Sequence, residues 1–218
     1  EISLGLVGSE MCIRDSVNRY NGDRMPSETP HPTHQNEIDS FLSPKRDMTL
    51  DMLSILTFSE ISRRDNIIDI GCGPGYFTLK LAKAVIDGKL YAVDTDPKMI
   101  EACREQITLA HLGNVEVNQC EEFDFAPDSE PLDGAFLAFV IHESTDHSRF
   151  LRSAAQLLKP NGWVTILEWS GKESKEGPSL ERQLEPSKLR QLSNDAGFRY
   201  RNWRELNDNQ YMMTLRKV

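Results

Sequence analysis

Ile67-Ile68-Asp69-Ile70-Gly71-Cys72-Gly73-Pro74-Gly75-Tyr76-Phe77-Thr78-Leu79-Lys80-Leu81 is the stretch on which the fold turns. An apolar, β-branched run ends at Ile70, and glycines then occupy alternate positions, Gly71, Gly73 and Gly75. Phe77, Leu79, Leu81 and Ala82 follow as the apolar members of a helical pattern. A buried strand that turns through glycine into a helix forms a crevice for a nucleotide-like ligand. Glycine is needed because the turn calls for unusual dihedrals and a side chain would block the ligand. The start of the helix offers unpaired N–H groups to an anion.

Spacing narrows the ligand. A dinucleotide turn reads Gly-x-Gly-x-x-Gly, whereas here the third glycine comes one residue early and follows Pro74. A second strand, Lys89 to Val93, ends at Asp94, which stands 19 residues beyond Gly75. That is near the spacing at which an acidic residue reaches a ribose diol. Two neighbouring hydroxyls donate well to one carboxylate, so an acid at that strand tip has a chemical reason. Led by Asp69, the alternate-glycine form resembles the first motif of class I S-adenosyl-L-methionine (SAM)-dependent methyltransferases.

Asp47 to Ile61 has helical spacing, and a proline-rich polar stretch, Val17 to Asn36, precedes it and is expected to be mobile or draped over the surface. Asp96-Pro97 opens a helix to about Leu109, with Asp96 as its cap. Val115 to Gln119 and the apolar Leu132 to Val140 read as the third and fourth strands. A helix over Asp146–Leu158 stops before Pro160-Asn161-Gly162, and Trp163 to Leu167 is the fifth strand, ending at Glu168. A charged loop, Ser170 to Pro186, leads to a helix over Ser187–Ala196. Phe198–Glu205 and Gln210–Arg216 close the chain as a hairpin. Alternating strands and helices make an α/β fold with a parallel sheet. The resemblance covers roughly residues 40 to 218. It implies seven mostly parallel, doubly wound strands in the order 3-2-1-4-5-7-6, helices on both faces and a C-terminal antiparallel hairpin.

Later motifs extend the likeness. Gln119-Cys120-Glu121-Glu122-Phe123 sits where the family places an acidic residue beside the adenine; the family often has Asp-Ala there, so the paired acids are a departure. Val140-Ile141-His142-Glu143 is similar to the segment after strand four in the ubiquinone-biosynthesis-like group, and Leu157-Leu158-Lys159-Pro160-Asn161-Gly162 to the turn before strand five. The resemblance implies that Gly71, Gly73 and Gly75 approach the methionine part of SAM and that Asp69 helps hold its ammonium. It also implies that Asp94 takes the ribose hydroxyls, that Glu121 accepts from the adenine amine with Glu122 or Phe123 nearby, and that Phe139 lies close to the reactive end. His142 is the candidate base, with the duller alternative that it bonds backbone; Trp169 is expected to pack.

Composition bounds the rest. At 218 residues the chain suits one domain with one large core. Glu1 to Ser16 resemble translated sequencing-adapter read-through and are set aside, with Met25 as the expected start; residues 17–46 are expected as a polar flexible cap and 47–218 as the methyltransferase domain. Formal net charge is −9, and −7 once the one basic and three acidic residues of that first segment are set aside. Without a basic cluster, such a surface speaks against nucleic acid as a partner. No apolar run is long enough for membrane insertion. Cys72, Cys103 and Cys120 lack metal-ligand spacing, His31 and His34 are too few to hold a metal, and a cytoplasmic setting is expected.

The expected activity is methyl transfer from SAM to a small-molecule acceptor. A SAM-binding regulatory module without turnover and a nicotinamide oxidoreductase are the alternatives, the early third glycine arguing against the latter. A methyltransferase of arsenite would need cysteines converging on the acceptor. The acceptor, the atom methylated and the oligomeric state are not encoded in any motif.

Overall fold

The computed structural model describes residues 34–125, 127, 129–172 and 177–218. The segment expected to be non-native, and the His31 end of the His31/His34 pair, lie outside the described residues. Seven strands, β1 (Asn66–Ile70), β2 (Lys89–Asp94), β3 (Val115–Gln119), β4 (Leu132–Ala138), β5 (Leu158–Trp169), β6 (Phe198–Asn207) and β7 (Gln210–Lys217), form one sheet in the order β3-β2-β1-β4-β5-β7-β6. The first five pair in parallel, and β7 runs antiparallel to both β5 and β6. This is the expected order.

Apolar side chains alternate across the sheet because successive residues of a strand point to opposite faces. Ile68 and Ile70 of β1 join Tyr91, Val93 and Leu137 in one core, beneath α6 (His147–Gln156) and α7 (Pro186–Asp195). Ile67 faces the other way and packs with Leu90, Phe136 and two residues of α4 (Tyr76–Ala84), Phe77 and Leu81. Cys103 and Ile107 of α5 (Pro97–Leu109) cover β2 and β3 through Ala92 and Val117. Asp96 caps α5 as expected, accepting from the Lys98 amide at 2.8 Å; such a cap contributes about 1 kcal/mol.

The structure corrects several boundaries. Residues 34–41 form a helix, α1 (His34–Phe41), so the polar stretch before the domain ends in ordered chain. The helix expected over Asp47–Ile61 is two, α2 (Lys45–Thr49) and α3 (Met52–Phe58). Leu50 is extended and buried between them, and Asp51 caps α3 by accepting from the Ser54 amide at 3.1 Å. Burying Leu50 and capping with Asp51 outweigh one more helical turn. The turn at Pro160-Asn161-Gly162 is folded as a bulge inside β5. Leu158 pairs with Leu132 and Trp163 with Gly134, so Lys159 to Gly162 lie opposite Asp133 alone. Gly134 makes room for the Trp163 indole: a Cβ there would stand 2.0 Å from its Cε2.

Candidate active site

Strand order reverses between β1 and β4, and ligands of such sheets bind at the carboxyl ends of the strands there. A cavity of about 1030 Å³ opens at that point. Its floor is the glycine turn after β1 and the tips of β2 and β4. Its walls come from α1 and α2, the segment after β3, the 3₁₀ turn Ile141–Glu143 and residues 177–182.

The three glycines do different things. Gly73, with φ of +54°, has nothing within 4 Å of where a Cβ would sit, so this point of the turn lies open to the cavity. At Gly71 a Cβ would meet Val140 Cγ2 at 2.4 Å, so the glycine there serves the approach of the segment after β4. Gly75 heads α4 and packs on Cys103, whose Sγ would stand 3.1 Å from an added Cβ; it is not part of the cavity wall.

Asp94, at the tip of β2, turns toward that loop. One carboxylate oxygen accepts from the Gly73 amide at 2.8 Å and the other from the Asp96 amide at 3.0 Å. Each oxygen keeps a lone pair for a further donor, and the side chain lines the cavity. Burial pushes its pKa above the ordinary carboxylate value.

Asp69 corrects the expectation. It shares the sheet face of Ile67, is 1% exposed, and is absent from the cavity wall. Strand alternation aims it beneath α4, where it accepts from the Thr78 hydroxyl at 2.7 Å. Burial raises its pKa to about 7, against the Thr78 hydrogen bond, with Asp94 adding repulsion.

Glu121 and Glu122 both reach the wall, in different circumstances. Glu121 is exposed and its backbone forms a two-way bridge with Asp124. Glu122 is committed: its Oε1 accepts from the Thr145 amide at 2.6 Å and from the Ser144 and Thr145 hydroxyls at 2.9 Å each, which holds its pKa low. It clasps the segment after β3 to the one after β4. Phe123 lies outside the wall, with the Arg149 guanidinium 4.3 Å from its ring centroid.

Phe139 follows β4 with φ of +58°, a conformation costly for a bulky residue and frequent at functional sites. Its amide donates to the Leu167 carbonyl at 2.8 Å, and its ring stands 6.3 Å from Phe77 and 5.6 Å from Trp169, centroid to centroid. Trp169, expected only to pack, is part of the cavity wall. So are Gly177, Pro178 and Arg182, although that stretch reads from sequence only as a charged loop between β5 and a helix.

His142 lines the cavity from the 3₁₀ turn and is 7% exposed. Its Nδ1 lies 2.9 Å from Glu168 Oε2, and its backbone amide donates to Glu168 Oε1 at 3.1 Å. Glu168 is fully buried and also accepts from the Trp169 amide at 3.2 Å. A carboxylate only accepts, so Nδ1 carries the proton and Nε2 of a neutral ring is left as an acceptor. This is the arrangement of an oriented general base. Sequence reasoning places Glu168 at a strand end but misses its pairing; the available signal is a carboxylate closing the apolar run Trp163–Leu167. Arg46, a further wall residue, is also missed. Among the described residues no group of three or more acidic, histidine or cysteine side chains is set to hold a metal.

Residues 67–162 match the methyltransferase domain family. A SAM-dependent methyltransferase from Aquifex aeolicus superposes with a TM-score of 0.80 at 25% identity, over 86% of this chain and 100% of that one. By this match and this superposition the chain is similar to the class I SAM-dependent methyltransferases. The cofactor of this family is SAM. Among curated relatives, the ubiquinone/menaquinone biosynthesis C-methyltransferase UbiE of Idiomarina loihiensis is 30% identical over 114 residues, 51% of this chain and 45% of that protein. The UbiE of Geotalea daltonii is 31% identical over 108 residues. The match thus spans about half the length of these relatives. The [4+2]-cyclase SpnF shares the fold at 14% identity, with a TM-score of 0.68, a reminder that a fold does not name a reaction. No described helix of the chain is long and apolar enough to cross a membrane.

Proposed function

We propose that the chain transfers a methyl group from SAM to a small-molecule acceptor seated against His142. The observation that carries this is one cavity with two differently equipped ends: Asp94 tied to the open Gly73 turn at one, and His142 backed by buried Glu168 at the other.

The residues suit the cofactor. Gly73 leaves space where a side chain would intrude, and Asp94 keeps acceptor capacity for a vicinal diol. Exposed Glu121 stands on the β3 side, where an adenine amine would find an acceptor. Asp69 and Gly75 support this turn from beneath, and Gly71 lets Val140 close against it. When bound, SAM supplies an activated methyl group on a sulfonium.

The rest falls to the chain. Phe77, Phe139 and Trp169 form an apolar wall that excludes water and fixes the acceptor's plane. Orientation of this kind can contribute about 7–11 kcal/mol. His142 Nε2 takes the proton that an O–H, N–H or acidic C–H acceptor must lose, and Glu168 holds the ring in that tautomer. A silent SAM-binding module would have no use for this pair, and the nicotinamide alternative gives way to the family match.

The test is incubation of the chain with SAM labelled in its methyl group and a metabolite extract, followed by mass spectrometry. Protein-dependent label in a small molecule, with S-adenosylhomocysteine formed, supports the proposal. Tight SAM binding without label transfer would favour the silent module.

A further inference from the structure

Arg46, on α2 at the cavity wall, is a cation with no counter-ion among the described residues. Its guanidinium stands over four rings, those of Phe41, Tyr76, Phe77 and Phe139, at 5.3, 5.1, 5.3 and 5.6 Å from their centroids. It lines the cavity beside the glycine turn. Its one hydrogen bond among the described residues is a long one, 3.4 Å, to the Phe41 carbonyl, so among these residues most of its five N–H donors find no acceptor. None of the ion pairs among the described residues includes it. The acid next to it in sequence is engaged elsewhere: Asp47 accepts from the Tyr76 hydroxyl at 2.7 Å and pairs with Lys80 at 3.2 Å.

Ring faces hold a cation by their quadrupole but offer it no acceptors. Burial draws the Arg46 pKa below its ordinary value, as expected of a guanidinium that has lost water. The planar N–H fork matches carboxylate and phosphate alike, and of the two SAM carries only a carboxylate. Tyr76 and Phe77 begin the helix after the glycine turn, and Phe139 begins the acceptor wall. The guanidinium therefore overlooks the place where the two ligands meet.

We propose that Arg46 anchors a carboxylate inside this cavity, the aromatic rings holding its fork ready before the ligand arrives. The proposal rests on the methyltransferase reading and deepens it. Two ligands bring such a group to this place: the amino-acid end of the cofactor, or an acceptor that is itself a carboxylate.

Calorimetry separates them. S-adenosylhomocysteine and 5′-methylthioadenosine share the adenosyl part, but only the first has a carboxylate. Benzoate, titrated into the S-adenosylhomocysteine complex, stands for a carboxylated acceptor. The variants are Arg46→Met, which keeps the stacked length, and Arg46→Lys, which keeps the charge; near-ultraviolet circular dichroism verifies their packing.

If the carboxylate is the cofactor's, Arg46→Met weakens S-adenosylhomocysteine at least about tenfold and leaves 5′-methylthioadenosine unchanged, and Arg46→Lys recovers part of the loss. If it is the acceptor's, Arg46→Met leaves both nucleosides unchanged and abolishes benzoate binding. Packed Arg46→Met that binds all three compounds as the wild type does overturns the anchor while leaving the methyltransferase reading intact. A wild-type chain that binds neither nucleoside overturns that reading, and the anchor with it.

Discussion

Glu168, sealed at the end of β5, receives both the Nδ1–H of His142 at 2.9 Å and the His142 backbone amide at 3.1 Å. Glu168 lies at the end of β5 and His142 on the 3₁₀ turn that follows the neighbouring parallel strand β4, so the β4–β5 register brings the ring to the carboxylate. A proton acceptor held this way loses little entropy when the acceptor molecule arrives.

His142→Ala is expected to lower turnover by about 10²–10⁴, the range for removal of a positioned general base, with SAM affinity unchanged. Glu168→Gln keeps the volume but allows the amide to donate, releasing the ring from its tautomer. It should lower turnover in the same direction and shift the pH–rate profile. Steady-state formation of S-adenosylhomocysteine reads both. Full turnover in His142→Ala would remove the base from the scheme.

Asp69 gives a pH signature in stability. Its pKa rises from 3.8 to about 7 on folding because burial disfavours the charged form. The folded state thus keeps a proton that the unfolded chain has released. The associated stability is present in full below about pH 4, declines as pH rises, and is gone above about pH 7. A shift of roughly three units corresponds to an upper bound of about 4 kcal/mol. Urea unfolding should show the wild type losing stability relative to Asp69→Asn over that window. Parallel pH curves for the two would mean that Asp69 titrates as in water.

Gly71 and Gly73 should separate under the same substitution. Gly73→Ala pays mainly for a positive φ, about 1–2 kcal/mol, and narrows the cavity floor. Gly71→Ala meets Val140 as well and should be destabilised further. Chemical denaturation with SAM titration checks this: Gly73→Ala is the variant expected to lose more affinity than stability.

Gly134→Ala tests the fit between β4 and β5. A methyl group there falls within the Trp163 indole, whose Nε1 donates to Asp65 at 2.9 Å. Overpacking of this kind costs about 1–3 kcal/mol. A lowered denaturation midpoint with unchanged m-value is the expected result.

Much of this architecture was legible because it is written locally. The glycine turn, the distance from Gly75 to Asp94 and the cap at Asp96 all depend on residues within one βαβ unit. Asp69 was misread although its parity with Ile67 was in view: a side chain in phase with a buried isoleucine goes beneath the helix. The break at Leu50 was hidden by apolar spacing that continues through it, while the capping of α3 by Asp51 was the clue. His142 with Glu168 joins positions 26 residues apart, and only the β4–β5 register brings them together. Arg46 meets rings from α1, α4 and the tip of β4, a meeting that no spacing along the chain encodes.

The measurement that bears most directly on the central claim is calorimetric titration of SAM into the wild type, Asp94→Asn and Asp94→Ala. A wild type that binds SAM, with Asp94→Ala weaker by about tenfold or more at unchanged fold, is the predicted result. Equal affinity in the wild type and Asp94→Ala, or no binding by the wild type, would contradict it.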